Sequence, residues 1–454
     1  MALRTPWFQE RSTLFALSVL DAFWVGAFYN VTSILRLQRL PGLDPIGLPL
    51  ICSWTGLSYL GGRYSNRRRR SNDRVLELLR TALVALLVLG LAVVVFSWGL
   101  KTRDPRTFRG FLIPLFVGVS LASTLSEQRV RAQLGRRRDP WILVSSAADL
   151  SVIAQEELPL MQQPPIRLVP TPEVHAFSQE LQRSGPGHWA GLAVGDLHGM
   201  STDVIDDLAN SRATGLRVSS LISWCETYLH RVPPELISPE WWLQAEGFEL
   251  HPGSPSWRMK RIGDLGLGAL LMLLTAPLMV ISALLIWLED RGPVFYTQER
   301  SGIYDTTIRI IKLRTMRVDA ETNQAQWAQR NDPRITRTGQ WLRKLRIDEL
   351  PQLFNVLKGD MSLIGPRPER PEIDAELDRQ IPNYRLRYLA RPGLSGWAQV
   401  CFPYGASIAD SRMKLSYDIY YLRNANLLLD LFILIKTIRL VLRGSGSEPQ
   451  NQPS

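Results

Sequence analysis

The stretch "LLRTALVALLVLGLAVVVFSWGL", residues 78–100, dictates the medium in which this chain folds. It comes close to the roughly 20 apolar residues that a helix needs to cross a bilayer. Three further apolar runs, roughly 12–34, 44–62 and 109–126, bring the candidate spans to four. Asp21 lies inside the first, and a carboxylate at that depth is costly unless it finds a partner. The N-terminal apolar run is too long for the core of a signal peptide and has no clear small-residue cleavage site, so it reads as a retained first span. Basic residues set the orientation. With the N-terminus inside, the inside segments 1–11, 63–77 and 127–138 carry 2, 6 and 5 Lys or Arg, whereas the outside loops 35–43 and 101–108 carry 2 and 3. The chain after the fourth span is then expected to begin in the cytoplasm.

The net charge is +11. That balance suits a nucleic acid, an anionic membrane surface or phosphorylated small molecules. Nucleic-acid binding would need a soluble basic face with stacking aromatics, and here the basic residues sit beside spans or carboxylates, so no nucleic-acid partner is expected. Cys52, Cys225 and Cys401 are dispersed and odd in number. They form no zinc or disulfide pattern and fit a reducing compartment. Between residues 140 and 250 the short apolar runs "WILVSS", "IRLVP" and "WAGLAVG" alternate with helix-like stretches, the pattern of an α/β, Rossmann-like domain. After "WILVSS" comes "AADLS" rather than a glycine fingerprint, so the expected domain is degenerate, regulatory or structural rather than dinucleotide-binding.

A fifth apolar run occupies 261–290, with Pro277 near its middle. An interior proline removes a helix hydrogen bond. A simple span would also put everything after residue 290 on the far side from the 140–250 domain. Arg258, Lys260 and Arg261 mark the entry, and Glu289, Asp290 and Arg291 the exit. Physics alone leaves two forms open, a kinked span and a helix that breaks at Pro277 and returns to the face it entered. Near the end, "LLLDLFILIKTIRLVLRG", 427–444, is interrupted by Asp430, Lys436 and Arg439, which favours an interfacial or packed helix. Residues 444–454 read as a disordered tail.

The chemistry concentrates in "KLRIDELPQLF", 344–354. Taken alone, Asp348 and Glu349 are an acidic pair on a basic helix. Their surroundings change the reading, because Lys312, Arg314, Arg334, Arg343, Arg346, Arg367 and Arg370 lie nearby in sequence. Carboxylates act as nucleophiles through aspartyl-phosphate intermediates, and Mg²⁺ takes one or two carboxylates together with substrate phosphates. Pro366 and Pro368 fix the backbone of Arg367, and a rigid guanidinium suits bidentate phosphate binding. "RPGLSGWAQV", 391–400, is a second rigid loop whose Trp397 reads as core rather than a base-stacking platform. Asp418 sits among tyrosines in "KLSYDIYYLRN", a mixture that often marks a membrane interface.

These stretches resemble the bacterial sugar transferase family, the polyprenyl-phosphate glycosyl-1-phosphate transferases. The resemblance covers 258–443 and rests on "KLRTM" (312–316), "DPRITRTGQWLRKLRIDELPQLFNVLKGDMSLIGPRPE" (332–369), "RPGLSGWAQV" and "YDIYY" (417–421). The whole layout is similar to the long form of that family. It implies a four-helix membrane bundle over 1–126, a Rossmann-like domain over 140–250 and an α-rich catalytic domain over 258–443. The helix 262–288 would be re-entrant and broken at Pro277. The resemblance further implies that Asp348 attacks the β-phosphate of a UDP-sugar, releases UMP and passes the sugar-1-phosphate to polyprenyl phosphate. Glu349 would bind Mg²⁺, alone or with Asp348, or deprotonate the acceptor. Lys312, Arg314, Arg343, Arg346 and Arg367 would bind phosphate, with Pro366, Pro368 and Asp418 as further site residues. A bacterial inner-membrane location and a homodimer are also implied. "PYGAS" (403–407) is similar to a subgroup tied to exopolysaccharide export. The departures are Leu313 and Thr315 in the "KLRTM" motif, Ser301 upstream, and Ala276 where a serine often precedes the breaking proline. The opposing expectation is a non-catalytic membrane scaffold for polysaccharide assembly, and the intact Asp348–Glu349 pair argues against it.

Overall fold

A computed structural model describes residues 12–38, 47–60, 64, 109–134, 139–156, 165–184, 188–196, 200–318, 334–402, 405 and 407–442. The chain divides into two compact units, one within residues 6–150 and 156–221, the other from Ile222 onward together with Ser151–Gln155.

Among the described residues the first unit holds three apolar helices, α1 (Ser12–Leu37), α2 (Gly47–Leu60) and α3 (Arg109–Leu134). α1 and α3 are long and apolar enough to cross a membrane, over Phe15–Arg36 and Phe111–Val130. They run antiparallel, since Trp24 in the middle of α1 donates to Ser126 in the second half of α3 at 2.9 Å, while Tyr29, further along α1, meets Phe111 at the start of α3. Asp21 has the partners its depth demands: the hydroxyls of Ser123 and Tyr64 both donate to it. α2 packs Trp54 against Phe116. It is shorter than the 44–62 run led one to expect, and its 14 residues reach only about 21 Å. The expected span 78–100 and the tail 444–454 lie outside the described residues.

The same unit contains a four-stranded parallel sheet, ordered β2-β1-β3-β4, from β1 (Trp141–Ser145), β2 (Ile166–Pro170), β3 (Gly191–Val194) and β4 (Val218–Ser220). The intervening helices are α4 (Ala147–Gln155), α5 (Val174–Ser184) and α6 (Thr202–Ala213). Parallel strands need such crossovers, and the apolar runs of the central strands β1 and β3 are continuous because both faces are covered. Ile142, Val144 and Leu192 form the core with Phe177, Leu181 and Leu208. At the first strand–helix turn Ser145 donates to Asp149 at 2.5 Å. A carboxylate therefore stands where a pyrophosphate-binding turn would have glycines.

The second unit begins with α7 (Leu221–Tyr228) and α8 (Pro239–Gln244). Ile222, Val232 and Ile237 share a core with Leu377, Tyr384, Leu415 and Ile419. Then comes α9 (Pro255–Asp290), capped by Ser254, which accepts from the Trp257 amide at 3.1 Å. The expected break is not there: α9 is one continuous helix of 36 residues with Pro277 inside it. Proline removes a single amide, and Thr275 adds a hydrogen bond to Leu271 O at 2.8 Å one turn back, a bond that tends to bend a helix without ending it. Among the described residues α9 is the third helix fit to cross a membrane, and only 11% of its apolar window is buried.

Both ends of α9 are gripped by the same unit. At the entry Lys260 pairs with Asp430 at 2.6 Å, Arg261 donates to Val356 O and Leu357 O, and the buried Asp264 accepts from Ser362 Oγ and the Leu363 amide. At the exit Ile286 packs with Leu313 and Leu342, Glu289 accepts from the amides of Arg337 and Thr338, and Asp290 holds Arg314.

After α9 the chain forms an antiparallel hairpin of β5 (Phe295–Ser301) and β6 (Thr307–Leu313). There follow α10 (Arg337–Lys344), a 3-10 turn over Ile347–Gln352 and α11 (Leu353–Lys358). β7 (Ser362–Ile364) and β8 (Gly393–Ser395) pair in parallel around α12 (Pro371–Gln380). The chain ends in α13 (Trp397–Cys401), α14 (Ile408–Asn424) and α15 (Leu427–Leu442). Trp397 is core as expected, fully buried, donating to His230 O at 2.9 Å. α15 is a packed helix that buries Leu429 and Ile433 and leaves Leu428, Leu431 and Ile438 exposed.

Gly365, Gly393 and Gly396 are needed where β7 and β8 run on, because a Cβ at any of them would fall on the opposite backbone. Gly393→Ala is expected to cost about 2 kcal/mol in a thermal or chemical unfolding series, with Gly215→Ala, at a φ of +100° but with open space around it, as the control for backbone strain alone.

Candidate active site

Two local devices place the carboxylate pair. α10 ends at Leu345, and Arg346 adopts a left-handed conformation at φ 54°, which turns the chain into the 3-10 segment that carries Asp348 and Glu349. α11 then docks on β6 through Asn355. Its side chain accepts from the Ile311 amide at 3.2 Å and donates to Arg309 O at 2.8 Å, which fixes the strand bearing Lys312.

Glu349 is buried among cations. Its Oε1 lies 2.7 Å from Arg367 Nη2 and 3.2 Å from Lys312 Nζ, and its Oε2 lies 3.7 Å from Arg346 Nη1. Burial favours the neutral acid, but Arg367, Lys312 and Arg346 outweigh it and hold the carboxyl well below the usual carboxylate range. Lys312 is pushed down by burial against the pull of Glu349.

Asp348 is equally buried, and its carboxylate makes no hydrogen bond or ion pair among the described residues. Burial, then the adjacent Glu349 charge, pushes its carboxyl up to about 6, against Lys312, Arg343 and Arg367. The two neighbours are thus driven apart: one is a fixed anion, the other an unclaimed carboxylate of raised basicity.

The cationic wall has its own supports. Arg343 donates through Nε to Thr315 Oγ1 at 2.9 Å, so the threonine of "KLRTM" supplies the hydroxyl that holds it. Pro366 O accepts from the Gly393 amide at 2.8 Å, and Pro368 O from Arg300 at 3.3 Å. Arg387 donates to Arg367 O at 2.7 Å and is paired with Asp418 at 3.4 Å and Asp374 at 3.7 Å. Asp418 is therefore buried behind Arg367, three contacts from the pair.

Of the residues picked out in the sequence, the structure brings Asp348, Glu349, Lys312, Arg346 and Arg367 together, with Arg343 close enough to act on Asp348 through its charge. It does not bring Arg314. That guanidinium grips Asp290 through two bonds of 2.5 Å and donates to Pro293 O, so it clamps the exit of α9. Arg300 and Arg387 were missed. Arg387 shows one faint signal, a place with Tyr384 and Tyr388 at a spacing that buries all three.

Residues 255–444 match the bacterial sugar transferase family. Over 189 residues the chain is 50% identical to UDP-N-acetylgalactosamine-undecaprenyl-phosphate N-acetylgalactosaminephosphotransferase of Aeromonas hydrophila, covering 42% of this chain and 45% of that protein. It is 43% identical over 200 residues to UDP-glucose:undecaprenyl-phosphate glucose-1-phosphate transferase of Caulobacter vibrioides, covering 42% of this chain and 75% of the relative. The chain belongs to the bacterial sugar transferase family. A third relative, undecaprenyl-phosphate glucose phosphotransferase of Komagataeibacter xylinus, is 41% identical over 191 residues, 40% of this chain and 36% of its own length. The chain thus spans less than half the length of the Aeromonas and Komagataeibacter proteins and three quarters of the Caulobacter one.

Asp418 offers a pH test. Burial raises its folded-state value to about 7 despite Arg387. A raised value means that the folded chain favours the protonated acid, so this stabilisation is complete below the ordinary carboxylate value and is lost as pH rises through about 7. Thermal midpoints measured from pH 5 to pH 8.5 should fall for the parent by about 2–4 °C more than for Asp418→Asn.

Proposed function

We propose that this chain is a phosphoglycosyl transferase that moves a sugar-1-phosphate from a UDP-sugar to undecaprenyl phosphate, starting the assembly of an exopolysaccharide or another glycan. The observation that carries this reading is the split pair, an unclaimed Asp348 beside a Glu349 fixed by three cations. The names of the relatives supply the acceptor and the type of group transferred.

In the first step an oxygen of ionised Asp348 attacks the β-phosphorus of the donor. The bond from that phosphorus to the bridging oxygen breaks, and UMP leaves with the electron pair. In the second step a phosphate oxygen of the acceptor attacks the phosphorus of the aspartyl phosphate. The carboxylate leaves, and a polyprenyl-diphospho-sugar remains. Lys312, Arg343, Arg346 and Arg367 oppose the charge that builds on the phosphoryl oxygens. Glu349 holds the cations in place, and its depressed value makes it a poor base, so it is assigned no proton transfer.

Among the described residues no three His, Cys, Asp or Glu side chains converge on a metal position. Two adjacent carboxylates suit Mg²⁺, which completes its shell from substrate phosphate and water. Asp348 and Glu349 would hold it, and it would neutralise charge on the donor diphosphate.

An acceptor carried in lipid requires the pair to lie at a membrane surface. α9 supports this. Residues 264 and 286 are about 33 Å apart along a straight helix, a bilayer's thickness, yet both ends are held by one compact unit. A body cannot grip a helix from both sides of a membrane, so α9 is read as re-entrant, bent at Pro277, with its apolar middle in lipid. The body then lies on the cytoplasmic face of the inner membrane. The parallel sheet is read as a degenerate Rossmann-like domain, with the catalytic domain at 258–443.

The test is product analysis with purified protein, Mg²⁺, undecaprenyl phosphate and a panel of UDP-sugars. The parent should release UMP from at least one sugar, and Asp348→Asn should be slower by about a thousandfold or more. UDP as the product would make the chain a conventional glycosyltransferase, and equal UMP from Asp348→Asn would remove the nucleophile assignment. Silence across the panel would leave the scaffold reading.

A further inference from the structure

α10 buries one side and leaves the other bare. Leu342 packs against Ile286 of α9 and Leu313 of β6. Beside that contact Trp341 is 67% exposed, just past the helix end Leu345 is 42% exposed, and beyond the catalytic turn Phe354 of α11 is 55% exposed. Arg337 and Lys344 are exposed too, and the Lys344 ammonium lies 5.7 Å from the Trp341 ring. Apolar rings interleaved with cations are what a lipid carrying a phosphate meets at an interface.

The position of this face narrows the occupant. Glu289 of α9 caps the start of α10, so the face is continuous with the bare helix that marks the bilayer. At its other end Leu345 stands three residues before Asp348, a chain reach of at most about 10 Å. Phe354 stands on the far side of the same turn. A lipid lying across these side chains has its headgroup beside the nucleophile.

We propose that Trp341, Leu345 and Phe354 seat the first isoprene units of the polyprenyl phosphate acceptor and present its phosphate to the Asp348 turn. This rests on the reaction proposed above. The competing occupant is bulk phospholipid, which would touch the same face without serving the reaction.

The two half-reactions separate these cases. Exchange of labelled UMP into UDP-sugar needs no acceptor and reports the Asp348 step alone. Trp341→Ala and Leu345→Ser should exchange within about twofold of the parent while their KM for undecaprenyl phosphate rises about tenfold, the size of one lost aromatic contact. Trp341→Phe should recover most of the loss. Flotation with phospholipid vesicles free of polyprenyl phosphate should be unchanged in all three variants. An unchanged acceptor KM overturns the seat. So does a rise in KM matched by an equal loss of vesicle binding, which would assign the face to the bilayer. Absence of UMP exchange in the parent would instead overturn the reaction on which the seat rests.

Discussion

Three cations meet one buried carboxylate at Glu349, and the surrounding region is arranged around keeping them there. Each cation comes from a different part of the chain. Lys312 is on the hairpin that Asn355 ties down, Arg346 is in the left-handed turn, and Arg367 is in the loop backed by Arg387 and the β7–β8 pair. A buried ion costs several kcal/mol unless it is paired, and removal of one partner strands the rest. The Glu349 cluster therefore demands that hairpin, turn and loop be built together. Its second effect falls on Asp348, which shares the burial and feels the Glu349 charge while receiving no direct contact from the cations. One arrangement so produces both the structural lock and the chemical asymmetry.

Behind this cluster lies a second layer, the Asp374, Tyr384, Arg387 and Asp418 group. Arg387 is fully enclosed, and it spends its guanidinium on two carboxylates, a phenol and the carbonyl of Arg367. This layer sets the position of Arg367 without touching the pair. It also explains why Asp418 is placed where it is: it balances a charge that the loop needs.

What could be read from the sequence follows the range of the interactions. The pair and most of its cations were legible because they fall in short rigid motifs, "RIDELP" and "GPRPER", where prolines and alternating charge fix local geometry. The parallel strands were legible from continuous apolar runs. Arg314 was placed at the site because it shares a motif with Lys312, but it lies just past the end of β6 and its partner, Asp290, is 24 residues upstream. Arg300, Arg387 and Asp264 escaped notice because what defines each is a partner distant in the chain, which no local pattern records. At Pro277 the local rule gave the lost hydrogen bond and left the outcome open, and the 36-residue helix runs on through it.

The double anchorage of α9 has a consequence for the order in which the protein is made. When residues 255–290 leave the ribosome they are an apolar stretch well able to cross a membrane. The residues that hold the entry of this helix, Ser362 and Asp430, lie 98 and 170 positions away from their partners Asp264 and Lys260, and most of them are synthesised long afterwards. On the re-entrant reading, the sidedness of α9 depends on contacts that do not yet exist when the helix first meets lipid. Pro277 and the charged residues flanking the helix are the local instructions then present. Until the body closes around both ends, insertion is a race between translation and a topological error that the finished fold would be unable to accommodate.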